Sequence, residues 1–255
     1  FTLNGTMDWN AGGSMSGSGK TVIASVATVT VQGDHGGLTS RTLDNSGTVT
    51  WKGPGANGRW DWDNCTFNNL SGATLDLQSN TSLYNYGAGS PVLNNAGTLK
   101  RTVGTGTATV QVAVNHTGTC QVQTGTLNLT GGGTSSGTFE AKSGTTLNFG
   151  GGTQTLQTGS SVTGVGAIGF SGGTTNVEGA YNVTGTTRVN GGAANFNAAN
   201  CLTETLNLTG GTLGGTGTLT VNDTLDWNGG GGMAGSGKTV IASGATVTVQ
   251  GDHGG

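Results

Sequence analysis

The chain has 255 residues, of which 53 are glycine, only 2 are proline and 8% are charged. Globular domains carry about 25% charged residues and about 7% glycine, and collagen needs a Gly-X-Y period with abundant proline, so neither composition applies. A formal net charge of −3 with no run of Lys or Arg argues against nucleic-acid or membrane-surface partners, and no apolar stretch approaches the about 20 residues of a membrane span.

A near-identical segment occurs twice in the chain. Residues 8–37 return as residues 226–255, which is 218 positions later. The copies differ at Ala11/Gly229, Ser14/Gly232, Ser16/Ala234 and Val26/Gly244. A self-contained enzyme has no reason to restart its own sequence, so the repeat predicts a piece of a periodic array. Residues 1–218 would form one long solenoid unit, and residues 219–255 would begin the next copy without a separate domain. A duplication that caps both ends of one protein is the alternative.

A shorter motif recurs inside the long unit, in which Gly and then Thr or Ala precede alternating apolar and polar residues. It starts at Gly47, Gly72, Gly97, Gly118, Gly125, Gly137, Gly144, Gly166, Gly185, Gly217 and Gly244. Alternation with period two predicts strands of four or five residues, and glycine favours sharp corners between them. Several motifs lie 19 to 25 residues apart. The pattern predicts an all-β, right-handed parallel β-helix (β-solenoid) with about 20 residues and two or three strands per coil. A β-sandwich or several small barrels is the rival architecture.

The aromatic and acidic segment 59–64 is the first candidate site along the chain. On a strand, Trp60 and Trp62 share one face while Asp61 and Asp63 share the other. If the cluster is exposed, it could bind carbohydrate by stacking on sugar rings, or bind a cation through its carboxylates. The alternative is that both Trp side chains fill the core at a wide coil and leave the carboxylates in solvent.

Other candidate residues carry weaker signals. The pair Asp34-His35 recurs as Asp252-His253, which suits a structural corner better than a metal or acid–base site. The cysteines Cys65, Cys120 and Cys201 have no metal-ligand spacing, so they are expected to be core residues, with one disulfide and one free thiol as the alternative. We therefore predict no catalytic residue, no metal site and no cofactor.

Residues 125–197, beginning GTLNLTGGGTSSGTFEAKSGTTLNFGGG, and residues 210–221, GGTLGGTGTLTV, resemble a bacterial repeat. They are similar to the Gly/Thr-rich β-helix arrays of very large secreted proteins, and so to the passenger regions of autotransporter and filamentous-haemagglutinin-type adhesins. The resemblance covers nearly the whole chain. It implies an exported, elongated protein at the cell surface or in a matrix, and such families offer no catalytic motif to map onto these residues.

The leading functional hypothesis is a structural one. Solenoid coils that stack continuously in a longer parent chain, or end to end between copies, would form a rigid extracellular rod, filament, sheath, biofilm matrix or adhesin stalk. A binding module for carbohydrate or another surface is the alternative. An ice-binding face would need regular Thr-x-Thr rows, and a polysaccharide-degrading enzyme would need clustered acids, whereas the 12 acidic residues are dispersed.

Overall fold

The computed structural model describes residues 1–10, 12–53 and 58–251, and every regular element in these ranges is a β-strand. The chain divides into two compact units, residues 1–131 (unit 1) and residues 132–255 (unit 2). In each unit the strands are parallel and stack as a β-solenoid, with coils about 21 residues apart. The predicted all-β parallel solenoid and its coil length are confirmed.

Unit 1 is built from short strands. They are β1 (Thr2–Leu3), β2 (Thr6–Trp9), β3 (Ser14–Ser16), β4 (Lys20–Ile23), β5 (Thr28–Val31), β6 (Gly37–Thr39), β7 (Thr42–Asn45), β8 (Thr48–Trp51), β9 (Arg59–Asp63), β10 (Thr66–Asn69), β11 (Thr74–Leu77), β12 (Ser82–Asn85), β13 (Val92–Asn95), β14 (Thr98–Arg101), β15 (Thr107–Val110), β16 (Ala113–His116), β17 (Thr119–Val122) and β18 (Thr126–Leu129).

Within unit 1, strands β1 to β15 each pair with the strand three places further along the chain. Sheet A contains β1, β4, β7, β10, β13 and β16 in that order. Sheet B contains β2, β5, β8, β11, β14 and β17. Sheet C contains β3, β6, β9, β12, β15 and β18. One coil therefore supplies one strand to each of three parallel sheets.

Unit 2 follows the same three-sheet plan with some longer strands. They are β19 (Gly133–Ser135), β20 (Thr138–Ala141), β21 (Thr146–Phe149), β22 (Thr153–Leu156), β23 (Ser161–Gly164), β24 (Ala167–Phe170), β25 (Thr174–Val177), β26 (Ala180–Phe196), β27 (Cys201–Gly214), β28 (Thr218–Asn228), β29 (Gly232–Met233), β30 (Lys238–Ile241) and β31 (Thr246–Gln250). The long strands β26, β27 and β28 bend around corners. In β26 this is seen from its pairing, since three separate parts of it pair with β23, β24 and β25.

The alternation seen in the sequence decides which side chains enter the core. In β8, Val49 and Trp51 are buried while Thr48 and Thr50 face outward. Identical positions of successive coils stack in register, so the core is a set of apolar rows. In unit 2, for example, the Phe149 ring stacks on the Phe170 ring with 5.7 Å between centroids. Side-chain rows and continuous backbone hydrogen bonds together hold the coils.

The boundary between the two units lies inside the 218-residue unit that the long repeat predicts. The division into residues 1–131 and 132–255 follows contacts along the chain, whereas the repeat is a relation between two sequences. The predicted long units 1–218 and 219–255 therefore stay a prediction.

Candidate functional site

The two tryptophans of the predicted carbohydrate site lie in the core of unit 1. Trp60 and Trp62 are each 0% exposed on the inward face of β9. The Trp60 ring centroid lies 5.7 Å from that of Trp51, and the Trp62 ring stacks on Phe67 at 5.4 Å. The rings fill the core, as in the alternative interpretation, and no ring face is open to a sugar in this conformation. The prediction that these two rings stack on sugars requires exposed ring faces, and their burial does not provide them.

The outward face of the same strand carries a linked set of polar groups. Asp61 Oδ1 lies 2.7 Å from Arg59 Nε, and Asp61 Oδ2 lies 3.4 Å from His35 Nδ1. His35 Nε2 lies 3.4 Å from Asp34 Oδ1. His35 adopts a positive φ of 56° in the corner between β5 and β6, and its backbone N–H donates to the Arg59 carbonyl. Asp34-His35 thus joins Asp61, while its counterpart Asp252-His253 lies outside the described residues.

Two tyrosines complete this outward cluster. The guanidinium carbon of Arg59 lies 4.3 Å from the Tyr84 ring centroid and 5.3 Å from that of Tyr86. Tyr84 stands directly beside Asp61 in the next coil of sheet C. Tyr86 is 58% exposed and, with His35, Arg59 and Asp61, borders a pocket of about 240 Å³. The sequence alone does not show this neighbour, because Tyr84 meets Asp61 only through the register of the next coil.

Asp63, the fourth predicted site residue, supports a corner. Its Oδ1 atom accepts a hydrogen bond of 3.2 Å from the Gly89 backbone N–H. A Cβ atom at Gly87 would collide with the same carboxylate, so glycine allows the chain to pass close to Asp63. Asp63 therefore fixes the segment that begins with Tyr86.

A row of buried amides connects sheet A to sheet B in unit 1. Asn45 Nδ2 donates to Asn69 Oδ1 at 2.8 Å, and Asn69 Nδ2 donates to Asn95 Oδ1 at 2.6 Å. Asn95 Nδ2 lies 2.8 Å from His116 Nδ1. All four side chains are buried. They also bond the backbone of the following corner, as where Asn45 Oδ1 accepts from the Gly47 N–H at 3.0 Å. We call this row the inner amide ladder.

A second row lies one residue earlier in each strand and faces outward. Asn68 donates to Asp44 at 2.7 Å, Asn94 donates to Asn68 at 2.9 Å, and Asn115 donates to Asn94 at 3.1 Å. Lys20 forms an ion pair with Asp44. Although partial burial raises the pKa of Asp44, the hydrogen bond from Asn68 and the charge of Lys20 hold it below its ordinary value. This outer amide ladder is a surface feature.

Sheet B of unit 1 displays a column of threonines. Thr6, Thr28, Thr48, Thr74, Thr98 and Thr119 stand in register on successive coils. The neighbouring column contains Asp76 and Lys100 beside Thr50. The Thr-x-Thr pattern expected for an ice-binding face is therefore regular in one column and interrupted by charge in the other.

Arg101 occupies an inward position of β14 and is fully buried. Its guanidinium donates to the Ser79 carbonyl at 2.5 Å, to Asn80 Oδ1 at 2.5 Å and to the Gly106 carbonyl at 3.0 Å. Burial lowers its pKa from the ordinary value, and the charge of Asp76 opposes that shift. Arg101 thus ties together the corners of two adjacent coils.

The three cysteines are buried free thiols. Burial raises the pKa of Cys65 and Cys120 to about 12 and that of Cys201 to about 11. Their placement matches the core interpretation, and the disulfide alternative is not seen in this structure. Within the described ranges no group of three or more His, Cys, Asp or Glu side chains could hold a metal ion.

The described parts of the repeated segment share local contacts in both copies. Trp9 Nε1 donates to the Gly13 carbonyl at 2.6 Å, and Trp227 Nε1 donates to the Gly231 carbonyl at 2.7 Å. Trp9 pairs with Val31, and Trp227 pairs with Val249 in the same register. The 218-residue offset is therefore a repeat of conformation as well as of sequence.

The chain was compared with protein families, curated proteins and solved structures. No protein-family model, no curated protein and no solved structure matches it. In the part of the chain that the structure describes, there is no helix long and apolar enough to cross a lipid bilayer.

Proposed function

We propose that this protein is a structural extracellular protein whose β-solenoid coils stack, along one chain or between copies, into a rigid rod or filament. The observation that carries the proposal is the repeated segment. In the first copy, strands β4 and β5 pair with β7 and β8 of the next coil. Strands β30 and β31 of the second copy have the same sequence pattern and could pair with a further coil in the same way.

The burial of equivalent valines differs between the two copies. Val29 and Val31 in β5 are 2% and 1% exposed. Their counterparts Val247 and Val249 in β31 are 46% and 62% exposed. In the first copy, β8 covers this position, with Val49 paired to Val29. The side chains of β31 are therefore suited to receive a further coil.

The chemistry of the incoming coil follows from the first copy. It would place strands like β7 and β8 beside β30 and β31, as Leu43 pairs with Thr21 and Trp51 pairs with Val31. Its backbone would complete the parallel hydrogen bonds of an open strand edge, which is how extended segments add to sheets.

Repetition of such a contact generates length. A heterologous contact that does not close on itself grows into an open filament. The 218-residue offset corresponds to roughly eleven coils, or about 50 Å along the axis at the spacing of neighbouring strands.

We also propose the class of surface protein to which this chain belongs. The Gly/Thr-rich composition and the solenoid fold support a place among exported bacterial surface or matrix proteins of the autotransporter or filamentous-haemagglutinin adhesin type. In that setting the chain would serve as a fibre, sheath, biofilm component or adhesin stalk, with a structural and not a catalytic role.

The proposal is tested by electron microscopy of the 255-residue chain at increasing concentration. We expect filaments with an axial repeat of about 55 Å, because each copy of the chain adds about 12 coils at the spacing of neighbouring strands. The double variant Val247→Lys/Val249→Lys, which places charges at the core end, should abolish them. The matched control Thr246→Lys/Thr248→Lys alters the outward residues of the same strand and should leave assembly intact.

A tandem chain provides the second arm. If residues 38–131 are placed after Gly255, the amides of β30 and β31 should become as protected from hydrogen exchange as those of β4 and β5. Isolated particles at every concentration together with unprotected amides in the tandem chain would overturn the proposal.

A further inference from the structure

The outward face of sheet C carries a small polar pocket beside an exposed aromatic ring. It measures about 240 Å³ and is bordered by Thr39, His35, Arg59, Asp61 and Tyr86. We propose that this pocket binds the end of an uncharged, hydroxyl-rich carbohydrate chain. The inference goes beyond the structural role and is independent of filament formation.

The polar groups of the pocket are fixed before any ligand arrives. Arg59 holds Asp61 at 2.7 Å, and His35 approaches the other carboxylate oxygen at 3.4 Å. Carboxylate, guanidinium and imidazole together offer both hydrogen-bond acceptors and donors within one pocket. Neighbouring hydroxyl groups of a sugar need that combination, because each hydroxyl both donates and accepts.

The aromatic surface comes from Tyr86, not from the buried tryptophans. The Tyr86 ring is 58% exposed, and the guanidinium carbon of Arg59 lies 5.3 Å from its centroid. An aromatic ring with one polar end suits a ligand that presents an apolar C–H face and polar edges. The backbone N–H of Tyr86 donates to the Trp62 carbonyl at 2.9 Å, and Asp63 anchors Gly89 just beyond it. The ring is thus held at the pocket rim.

Gly37 keeps the floor of the pocket open. It stands beside Asp61 in the next coil, and its lack of a side chain leaves a gap in an outward row that otherwise carries Ser14 and Tyr84. A Cβ atom at Gly37 would come within 2.8 Å of the Asp61 carbonyl oxygen. The floor therefore depends on glycine at this position.

Size and charge narrow the ligand class. Pockets for drug-sized ligands span about 300–1,000 Å³, so a pocket of about 240 Å³ suits one or two sugar rings. Asp61 is paired with Arg59 in the pocket lining, and a second carboxylate, Asp34, lies 3.4 Å from His35 Nε2 beside it. The excess of negative charge disfavours an acidic sugar and favours a neutral one.

Calorimetric titration of the full chain tests the proposal with defined probes: cellotetraose, maltotetraose, mannotetraose and, as an acidic comparison, sialyllactose. At least one neutral probe should bind, and sialyllactose should bind more weakly. Tyr86→Ala and Asp61→Asn should each lower the affinity about tenfold or more, which corresponds to losing one good contact. Thr107→Ala, an exposed outward position of β15, is the matched control and should bind like the wild type.

Far-ultraviolet circular dichroism of each variant separates loss of binding from loss of fold, because Tyr86 is exposed and its removal opens no core cavity. Failure of every neutral probe to bind, or binding that survives both Tyr86→Ala and Asp61→Asn in folded protein, overturns the proposal. Filament assembly should be unaffected by either variant, so the two proposals fail separately.

Discussion

Removal of one amide from the inner ladder should destabilise unit 1 strongly. Asn69 donates to Asn95 Oδ1 at 2.6 Å and to the Thr98 carbonyl at 3.0 Å, and it accepts from Asn45 Nδ2 at 2.8 Å. In Asn69→Ala, the Asn95 oxygen and the Thr98 carbonyl each lose a donor, while Asn45 Nδ2 keeps its bond to the Thr74 carbonyl.

The expected cost follows from the number of buried groups left without a partner. The Asn95 oxygen is left without a donor, which costs about 1–3 kcal/mol, whereas the Thr98 carbonyl keeps its place in the β11–β14 ladder. With the small cavity left by the amide, the loss in the free energy of unfolding is about 2–4 kcal/mol. That is a large share of the about 5–15 kcal/mol that stabilises a typical domain. Urea titration followed by tryptophan fluorescence measures the loss in unit 1, where Trp51, Trp60 and Trp62 are buried.

Two further variants decide whether the ladder is the cause. Asn68→Ala alters the outer ladder one residue away and should cost less than about 1 kcal/mol, because its partners can bond to water. Asn69→Asp keeps the shape but replaces a donor with a buried carboxyl group. Burial raises the pKa of such a group above its unfolded value, so its destabilisation relative to wild type should be greater at pH 7 than at pH 4. Equal losses for Asn69→Ala and Asn68→Ala would refute the reasoning.

Three other predictions rest on single features of the core. The thiols of Cys65, Cys120 and Cys201 ionise near pH 9 in the unfolded chain but only at about 11 to 12 when folded. The free energy of unfolding should therefore be independent of these thiols below pH 9 and should fall above pH 9, by about 1.4 kcal/mol per pH unit for each thiol. In Cys120→Ala, urea titration should give a shallower fall with pH, which would confirm the cause. Arg101→Ala should cost about 3–5 kcal/mol, since it opens a cavity and frees buried carbonyls, and Arg101→Lys should recover only part of it by the same titration. Gly97→Ala should lower the melting temperature by calorimetry, because the new Cβ atom would collide with the carbonyl oxygens of Ala73 and Leu70. An unchanged melting temperature would contradict that account.

The coil architecture could be predicted from sequence because it depends on local rules. Alternation in stretches such as 48–51 marks strands, and glycine at positions such as Gly97 marks corners where coils pass too closely for a side chain. The sequence predicts two or three strands per coil, because a corner such as Ser40-Arg41, between β6 and β7, contains no glycine to mark it. The structure shows three.

The binding face was harder to predict, because alternation separates two faces without saying which one is inside. Alternation in the sequence predicts that Trp60 and Trp62 share one face of their strand, but their burial depends on Trp51 and Phe67 from other strands and coils. The outward cluster needs Tyr86 beside Arg59, and that neighbour depends on the coil length. Pairing across coils is a long-range relation that one sequence does not display.

The sequence does not reveal the amide ladders, for a related reason. The residue pairs 44–45, 68–69, 94–95 and 115–116 each precede a corner, yet their separations vary, so no fixed period marks them. Asparagine in a Gly- and Thr-rich chain also reads as a turn residue. Only the stacked register shows that successive amides bond to each other.

The inner ladder has a consequence for how such a chain can change over evolution. Its rungs are 24, 26 and 21 residues apart, yet each side chain meets the next at hydrogen-bond distance. The extra residues leave the stack at corners and return to the same rung. Insertions and deletions at those corners are therefore absorbed locally, whereas a single residue added within a strand would turn every later side chain of that strand to the opposite face. New surface loops can be gained or lost coil by coil while the scaffold stays in register.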